Sequence, residues 1–149
     1  DRDAVMDKEY FARRLSEQFP EFRTAYAEHL EYYEALFGHV FFGSETLLGA
    51  LERLLKTNRE RETIRRYIDF VEDMYANGDD DVRNIVEVTL LECLGDDETI
   101  LRNAFSYFSE KLMLASQSVE RDWGRREIRI WHKNGRTLYD WDWPSKPNT

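Results

Sequence analysis

Carboxylates are the side chains in this sequence whose number and spacing could support chemistry. Residues 72–98 contain ten acids and one base, Arg83, so this segment alone carries a charge of −9. Acid–base catalysis also needs a pocket that shifts pKa values and positions a substrate, and sequence shows only the abundance of acids. A basic protein is a better electrostatic match for this acidic segment than a nucleic acid is, because complementary charges steer association. We therefore predict partner binding by Glu72, Asp73, Asp79, Asp80, Asp81 and Glu92.

Those acids have a plainer alternative, which is that exposed helix faces carry them only to keep the domain in solution. One of the three aspartates 79–81 should also cap the helix that follows, because a carboxylate there accepts hydrogen bonds from free backbone N–H groups. The cluster therefore has a structural use before any functional one.

Tryptophan is the second unusual feature, since three of the four lie between residues 131 and 143. Tryptophan is favoured at the centre of protein interfaces, so Trp141 is a candidate anchor for a partner. The alternative is that these rings attach the tail to the rest of the fold.

The histidines and the cysteine do not form a recognised site. His29, His39 and His132 lack the H-E-x-x-H spacing of a zinc site, and Cys93 is alone on an apolar helix. No phosphate-binding loop, dinucleotide fingerprint, calcium loop or nucleophile elbow occurs, so we expect no metal or cofactor and no enzymatic activity. The competing hypothesis is a ligand-binding or catalytic pocket near His29, His39 and Glu92.

Composition excludes several classes of protein. The 149 residues suit one domain, and no apolar stretch is long enough to cross a membrane. A net charge of −9 makes nucleic acid a poor partner. The lone cysteine and the missing signal-peptide pattern favour a cytoplasmic location.

Apolar spacing predicts an all-α fold of about six helices, in a bundle or a short helical-repeat-like stack. We set residues 1–5 aside, because Met6 is a plausible native start. Asp7 should cap the first helix, and the second should run from Pro20 to Phe37. The fifth, about 80–94, should be central because its apolar residues surround more than one face, and the last should span 104–121. The inward stripe of the second helix is predicted to be Phe22, Tyr26, Leu30, Tyr33 and Phe37.

The tail should form a β-hairpin packed on the helical domain. Asn134-Gly135 is a strong hairpin turn signal between two segments rich in β-branched and aromatic residues. We therefore divide the chain into a helical domain, 6–121, and a Trp-rich hairpin and tail, 122–149. A further alternative is an oligomer, in which hairpins pair edge to edge across the two-fold axis of a homodimer.

The order of several segments resembles that of a known family. The segments are FPEF (19–22), His29, HVFFG (39–43) and the run 70–94, of which MYANGDDDVRN (74–84) is the most specific. They resemble a family of small uncharacterised bacterial helical domains, some of which look like immunity proteins of polymorphic-toxin systems. The resemblance covers about residues 8–115 and offers no counterpart for the Trp-rich tail. It implies a helical fold, a bacterial origin and, by analogy, inhibition of a toxin, with no catalytic residues to carry over.

Overall fold

The computed structural model describes residues 6–142, which form helices followed by a two-stranded antiparallel hairpin. The helices are α1 Lys8–Gln18, α2 Arg23–Tyr33, α3 Gly38–Val40, α4 Leu47–Thr57, α5 Arg61–Asn77, α6 Asp80–Asn84, α7 Glu92–Leu94, α8 Glu98–Phe105 and α9 Glu110–Asp122. A 3₁₀ turn spans Pro20–Phe22, and π-helical segments span Phe41–Glu45 and Ile85–Leu91. The strands are β1 Glu127–Lys133 and β2 Arg136–Asp142. The predicted all-α fold with a C-terminal hairpin is confirmed.

Aspartates cap three of the helices. The Asp7 carboxylate accepts from the Tyr10 N–H at 2.9 Å, as predicted. Asp79 and Asp97 cap α6 and α8 in the same way. Each cap satisfies an N–H that has no partner within its helix.

The boundary between α5 and α6 lies where Asn77-Gly78 predicts it, but for a different reason. Gly78 has a φ of −73°, so it does not use the left-handed conformation. A Cβ at this position would lie 2.3 Å from Val82 Cγ1 and 2.5 Å from the Met74 carbonyl oxygen. Glycine is needed because the two helices approach too closely for a side chain.

The predicted single helix from Pro20 to Phe37 is wrong. The chain makes a 3₁₀ turn at Pro20–Phe22, and α2 ends at Tyr33 because Glu34 adopts a left-handed φ of 59°. The helix therefore stops before the apolar stripe is complete. Leu30, Tyr33 and Phe37, predicted to face inward, are exposed.

The predicted last helix, 104–121, is also wrong at its start. Residues 106–109 separate α8 from α9, and the Ser109 hydroxyl accepts from the Leu112 N–H to cap α9. The Arg65 guanidinium donates to the Tyr107 carbonyl at 2.7 Å, which satisfies a backbone oxygen that the break leaves outside a helix.

The helix predicted at 80–94 is continuous through α6, the π-helical segment and α7. Across its wider central turns the buried residues repeat at a spacing of five, Ile85 with Leu90 and Val86 with Leu91, and Val88 is exposed. The wide turns bring these pairs to one side, although on a regular helix they would lie on more than one face.

The core joins the helices through large apolar side chains. Edge-to-face ring contacts connect Phe11 with Phe70 and Phe19 with Tyr67, which lock α1 onto α5. The largest fully buried side chains are Phe11, Phe19, Phe41, Phe42, Phe105, Leu15, Leu47, Leu51, Leu55, Ile64, Ile68 and Met74.

The hairpin turns at Asn134-Gly135, as predicted, with both residues at positive φ. Trp141 packs into the fold, its ring perpendicular to Phe105 at 5.1 Å between centroids. Trp131 alternates to the other face of the strand and is 41% exposed, so it does not help to attach the hairpin. Trp143, the third tryptophan of the tail, lies outside the described residues.

A buried ion cluster fixes the start of the hairpin. The Glu120 side chain is fully buried at the end of α9 and receives hydrogen bonds from both Arg125 and Arg126. Arg125 also binds Asp96 at 2.7 Å, and Arg126 donates to the Gly95 carbonyl. The cluster thus connects the end of α9 to the residues before β1 and to the loop after α7.

Gly95 lets that cluster close. A Cβ on Gly95 would lie 2.1 Å from Glu120 Oε2 and 2.5 Å from Arg125 Nη2. Any side chain would therefore push the carboxylate away from its arginine.

We predict that Glu120→Gln lowers the free energy of unfolding by about 3–5 kcal/mol, because it leaves two largely buried guanidinium groups without their shared anion. Urea denaturation followed by circular dichroism measures the change. The matched control is Glu127→Gln, whose carboxylate is exposed 3.8 Å from Arg121, and we expect at most about 0.5 kcal/mol. Equal losses in the two variants would contradict the role of the cluster.

Candidate functional site

Six of the ten acids of segment 72–98 lie toward opposite ends of one helix, whereas Glu72 and Asp73 belong to α5. Asp79–Asp81 begin it at α6, and residues 96–98 follow its end at α7. At 1.5 Å per residue, the fifteen residues between these ends span roughly 22 Å. The segment therefore does not form a single acidic surface.

Three of the predicted binding residues already have partners within the chain. Asp79 accepts from the Val82 N–H, and Asp73 accepts from the Asn77 amide at 2.6 Å. Glu72 accepts from both the N–H and the hydroxyl of Ser109, the residue that caps α9. Their carboxylates therefore contribute to helix ends and helix contacts.

Asp80 and Asp81 are the exposed carboxylates of this set. The side chain of Asp80 is 98% exposed, and its one described ion pair is with Arg83, one turn away, at 3.2 Å. Asp81 is exposed as well. Both lie in the first turn of α6, whose direction the buried Val82 and the Asp79 cap fix.

Glu92 and Trp141 lie apart from that pair. Glu92 begins α7, and its carbonyl oxygen accepts from Arg125. The Trp141 indole is 7% exposed beneath the Arg102 guanidinium, 4.5 Å from the ring centroid. The structure thus places this predicted anchor between the hairpin and α8, with little surface left for a partner.

The acids after α7 are partly neutralised. Lys56 donates to the Asp97 carboxylate at 2.7 Å and holds the pKa of that carboxyl below its usual range. Nearby, burial, with Asp96 and Glu52 adding to it, raises the pKa of the Cys93 thiol. A raised thiol pKa disfavours the reactive thiolate.

His29, one of the histidines of the competing hypothesis, lines a groove on α2. The groove, about 540 Å³, is lined by Ala25, Glu28, His29, Tyr32, Tyr33 and Glu45. His29 Nε2 accepts from the Phe37 N–H at 3.0 Å, so Nδ1 carries the ring proton and donates to Glu45 at 2.7 Å. Both ring nitrogens are occupied, which leaves neither for proton transfer.

His39 and Glu92 are not among the residues that line this groove. His39 Nδ1 lies 2.5 Å from Thr89 Oγ1, and Glu92 lies near Arg125. The three residues of the competing hypothesis therefore do not converge on it. Across residues 6–142, no group of three or more histidine, cysteine, aspartate or glutamate side chains is arranged to hold a metal ion.

Sequence reasoning missed an exposed aromatic surface beside the His29 groove. Tyr32 is 79% exposed and Phe37 is 50% exposed, and Leu30, Tyr33 and Val40 accompany them. A signal was available, since residues 24–52 contain five glutamates and no lysine or arginine. It went unused because the same apolar residues fit an inward helical stripe.

A larger groove, about 690 Å³, runs between α5, the central helix and α9. Its lining mixes both charges and comprises Tyr75, Arg83, Glu87, Glu110, Lys111, Leu114, Ala115 and Ser118. The Tyr75 hydroxyl donates to Glu87 at 2.8 Å. Burial, reinforced by this carboxylate, raises the pKa of Tyr75 to about 12.

The fold and the sites together define a helical domain with exposed acidic and aromatic side chains. Residues 12–124 match the profile of a family described as a domain of unknown function, DUF7674, and the chain belongs to this family. The matched range ends after α9, so the hairpin lies outside it. The search of curated proteins and that of solved structures found no match.

The expected likeness to an uncharacterised family is therefore confirmed, whereas the family description names no bacterial origin, immunity role, activity or partner. Among the described residues, none of the helices has the length and apolarity needed to cross a membrane.

We predict that Tyr75→Phe flattens the loss of stability at alkaline pH. The folded pKa of Tyr75 lies above its ordinary value of 10.0, so the neutral phenol contributes fully below pH 10. That contribution is lost as the pH rises through about 12. Urea unfolding between pH 9 and 11.5 measures it, and superimposable curves for wild type and variant would contradict the assignment.

Proposed function

We propose that this chain is a non-enzymatic binding module for a basic protein partner. More specifically, we propose an immunity-type inhibitor that neutralises a bacterial toxin in the cytoplasm. The net charge of −9 supports the binding of a basic partner. The resemblance of segments 19–22, 39–43 and 70–94 to immunity-like domains supports the more specific proposal.

The observation that carries the proposal is the exposed pair Asp80 and Asp81. Glu72, Asp73 and Asp79 accept hydrogen bonds at helix ends or between helices. The Asp80 side chain, although it pairs with Arg83 one turn away, is 98% exposed, and the Asp81 residue is exposed too. A short helix that Asp79 caps and buried Val82 anchors holds this pair, so a partner meets preorganised carboxylates.

A basic partner would use these carboxylates in two ways. At long range, the acidic field raises the rate of encounter and makes it sensitive to salt. At contact, arginine forms paired hydrogen bonds to a carboxylate, which are stronger than neutral ones. Glu72, Asp73 and Asp79 position this region, and Asp80 and Asp81 make the contact.

The competing pocket near His29, His39 and Glu92 receives less support. These residues do not line one groove, and both ring nitrogens of His29 are bonded. A binding role agrees better with this arrangement than proton transfer does.

We predict that Asp80→Asn/Asp81→Asn weakens partner binding about tenfold or more at 50 mM salt, with a smaller effect at 300 mM. The partner is first captured from the source organism's lysate, identified by mass spectrometry and purified. Its affinity for each variant is then measured by calorimetry.

The matched control is Glu60→Gln/Glu62→Gln, which removes two exposed charges in and before the first turn of α5. If both double variants lose affinity for the partner equally, net charge alone explains the loss, and the assignment of the site to Asp80 and Asp81 is contradicted. The more specific proposal requires the partner to stop bacterial growth when expressed alone and to permit growth when co-expressed with this chain. A partner that is harmless when expressed alone would contradict it.

A further inference from the structure

The exposed aromatic surface beside α2 is a second feature that the acidic pair does not explain. We propose that it is the anchor site for an arginine side chain of the basic partner, an inference that rests on the proposed function. We call it the tyrosine–glutamate groove, formed by Tyr32, Tyr33, Glu28 and Glu45 above His29.

The aromatic part of the groove is prearranged. The Tyr32 and Tyr33 rings meet at 87° with centroids 4.7 Å apart, and Tyr33 packs on the His29 ring at 4.6 Å. Contacts within the chain hold these rings, while 79% of Tyr32 stays exposed. A flat cation can stack on the exposed ring face, where the quadrupole is negative.

The carboxylates beside the rings supply the opposite charge. Glu45 lines the groove with 31% of its side chain exposed, and His29 Nδ1 orients it from below. Glu28 lines the same groove and has no ion pair among the described residues. Rings and carboxylates together suit guanidinium, which stacks and forms paired hydrogen bonds.

Charge also distinguishes this occupant from a second copy of the chain. Residues 24–52 contain five glutamates and no lysine or arginine. Two such surfaces facing each other would bring like charges together, which opposes association. A basic partner places an opposite charge there and covers the exposed Leu30, Phe37 and Val40.

His29 has a positioning role in this proposal. Its Nε2 accepts from the Phe37 N–H and its Nδ1 donates to Glu45, so one buried ring connects the end of the α2–α3 loop to the carboxylate. The groove therefore keeps its shape before a partner arrives, which limits the ordering cost of binding.

The test uses the full chain and the peptide acetyl-Gly-Arg-Gly-amide, followed by NMR chemical shifts. We expect saturable shifts centred on Tyr32, Tyr33 and Glu45, with weaker binding of the lysine peptide and none of the citrulline peptide, which has the shape of arginine without its charge. Tyr32→Ala should weaken binding about threefold or more, and Glu28→Gln about fivefold or more. Shifts of equal size with the citrulline peptide, or shifts spread over acidic residues outside the groove, would overturn the proposal.

Matched controls remove the same groups elsewhere. Trp123→Ala deletes another exposed aromatic side chain, and Glu60→Gln removes another exposed charge; neither should alter peptide binding. Equal weakening by these controls would overturn the assignment to the groove. A concentration-dependent dimer that Tyr32→Ala abolishes in light scattering would overturn it in favour of a second copy.

The partner distinguishes this proposal from the one it rests on. If Tyr32→Ala lowers the affinity for the captured partner as Asp80→Asn/Asp81→Asn does, both proposals are supported. If only the aspartate variant lowers this affinity, the arginine site is overturned while the proposed function stands. If the peptide binds but no partner is captured from the lysate, the role of the groove in partner binding is overturned and the proposed function is left without support.

Discussion

Burial of the Glu120 carboxylate is the constraint on which the C-terminal third of the structure depends. A buried charge is costly unless opposite charges and hydrogen bonds surround it. Arg125 and Arg126 provide them from the residues that lead into β1, and the Gly95 backbone makes room from the loop after α7. The hairpin, the central helix and α9 therefore share one fixed point, although the family match ends before the hairpin begins.

Local signals predicted much of the fold. Capping at Asp7 and Asp79, the stop at Asn77-Gly78 and the hairpin turn at Asn134-Gly135 are decided within a few residues, and the structure has them there. Neither glycine nor proline marks the break at Glu34, and the break before Ser109 involves a distant element, because Arg65 and Glu72 of α5 bond residues 107 and 109. The Glu120 cluster was unpredictable for the same reason, because an acid between Val119 and Arg121 has the pattern of a solvated helix face.

The candidate site shows a similar division. Sequence located the acidic segment, and it predicted that one of the three aspartates 79–81 caps a helix before any functional role. It could not show that Glu72 and Asp73 accept hydrogen bonds within the chain while Asp80 and Asp81 stay exposed. It assigned apolar residues of α2 to the core because helical periodicity shows which residues share one face but not whether another element packs against that face.

The π-helical segment Ile85–Leu91 has a consequence for sequence variation. A wide turn holds one extra residue compared with an α-helix, so it absorbs that residue without changing the orientation of α7. Deleting one residue there would restore regular winding and leave α7 close to its present orientation. Deleting one residue from a regular turn of the same helix would instead rotate everything downstream by about 100° and turn Gly95 away from Glu120. Related chains should therefore tolerate the loss of one residue in this segment better than elsewhere in the helix.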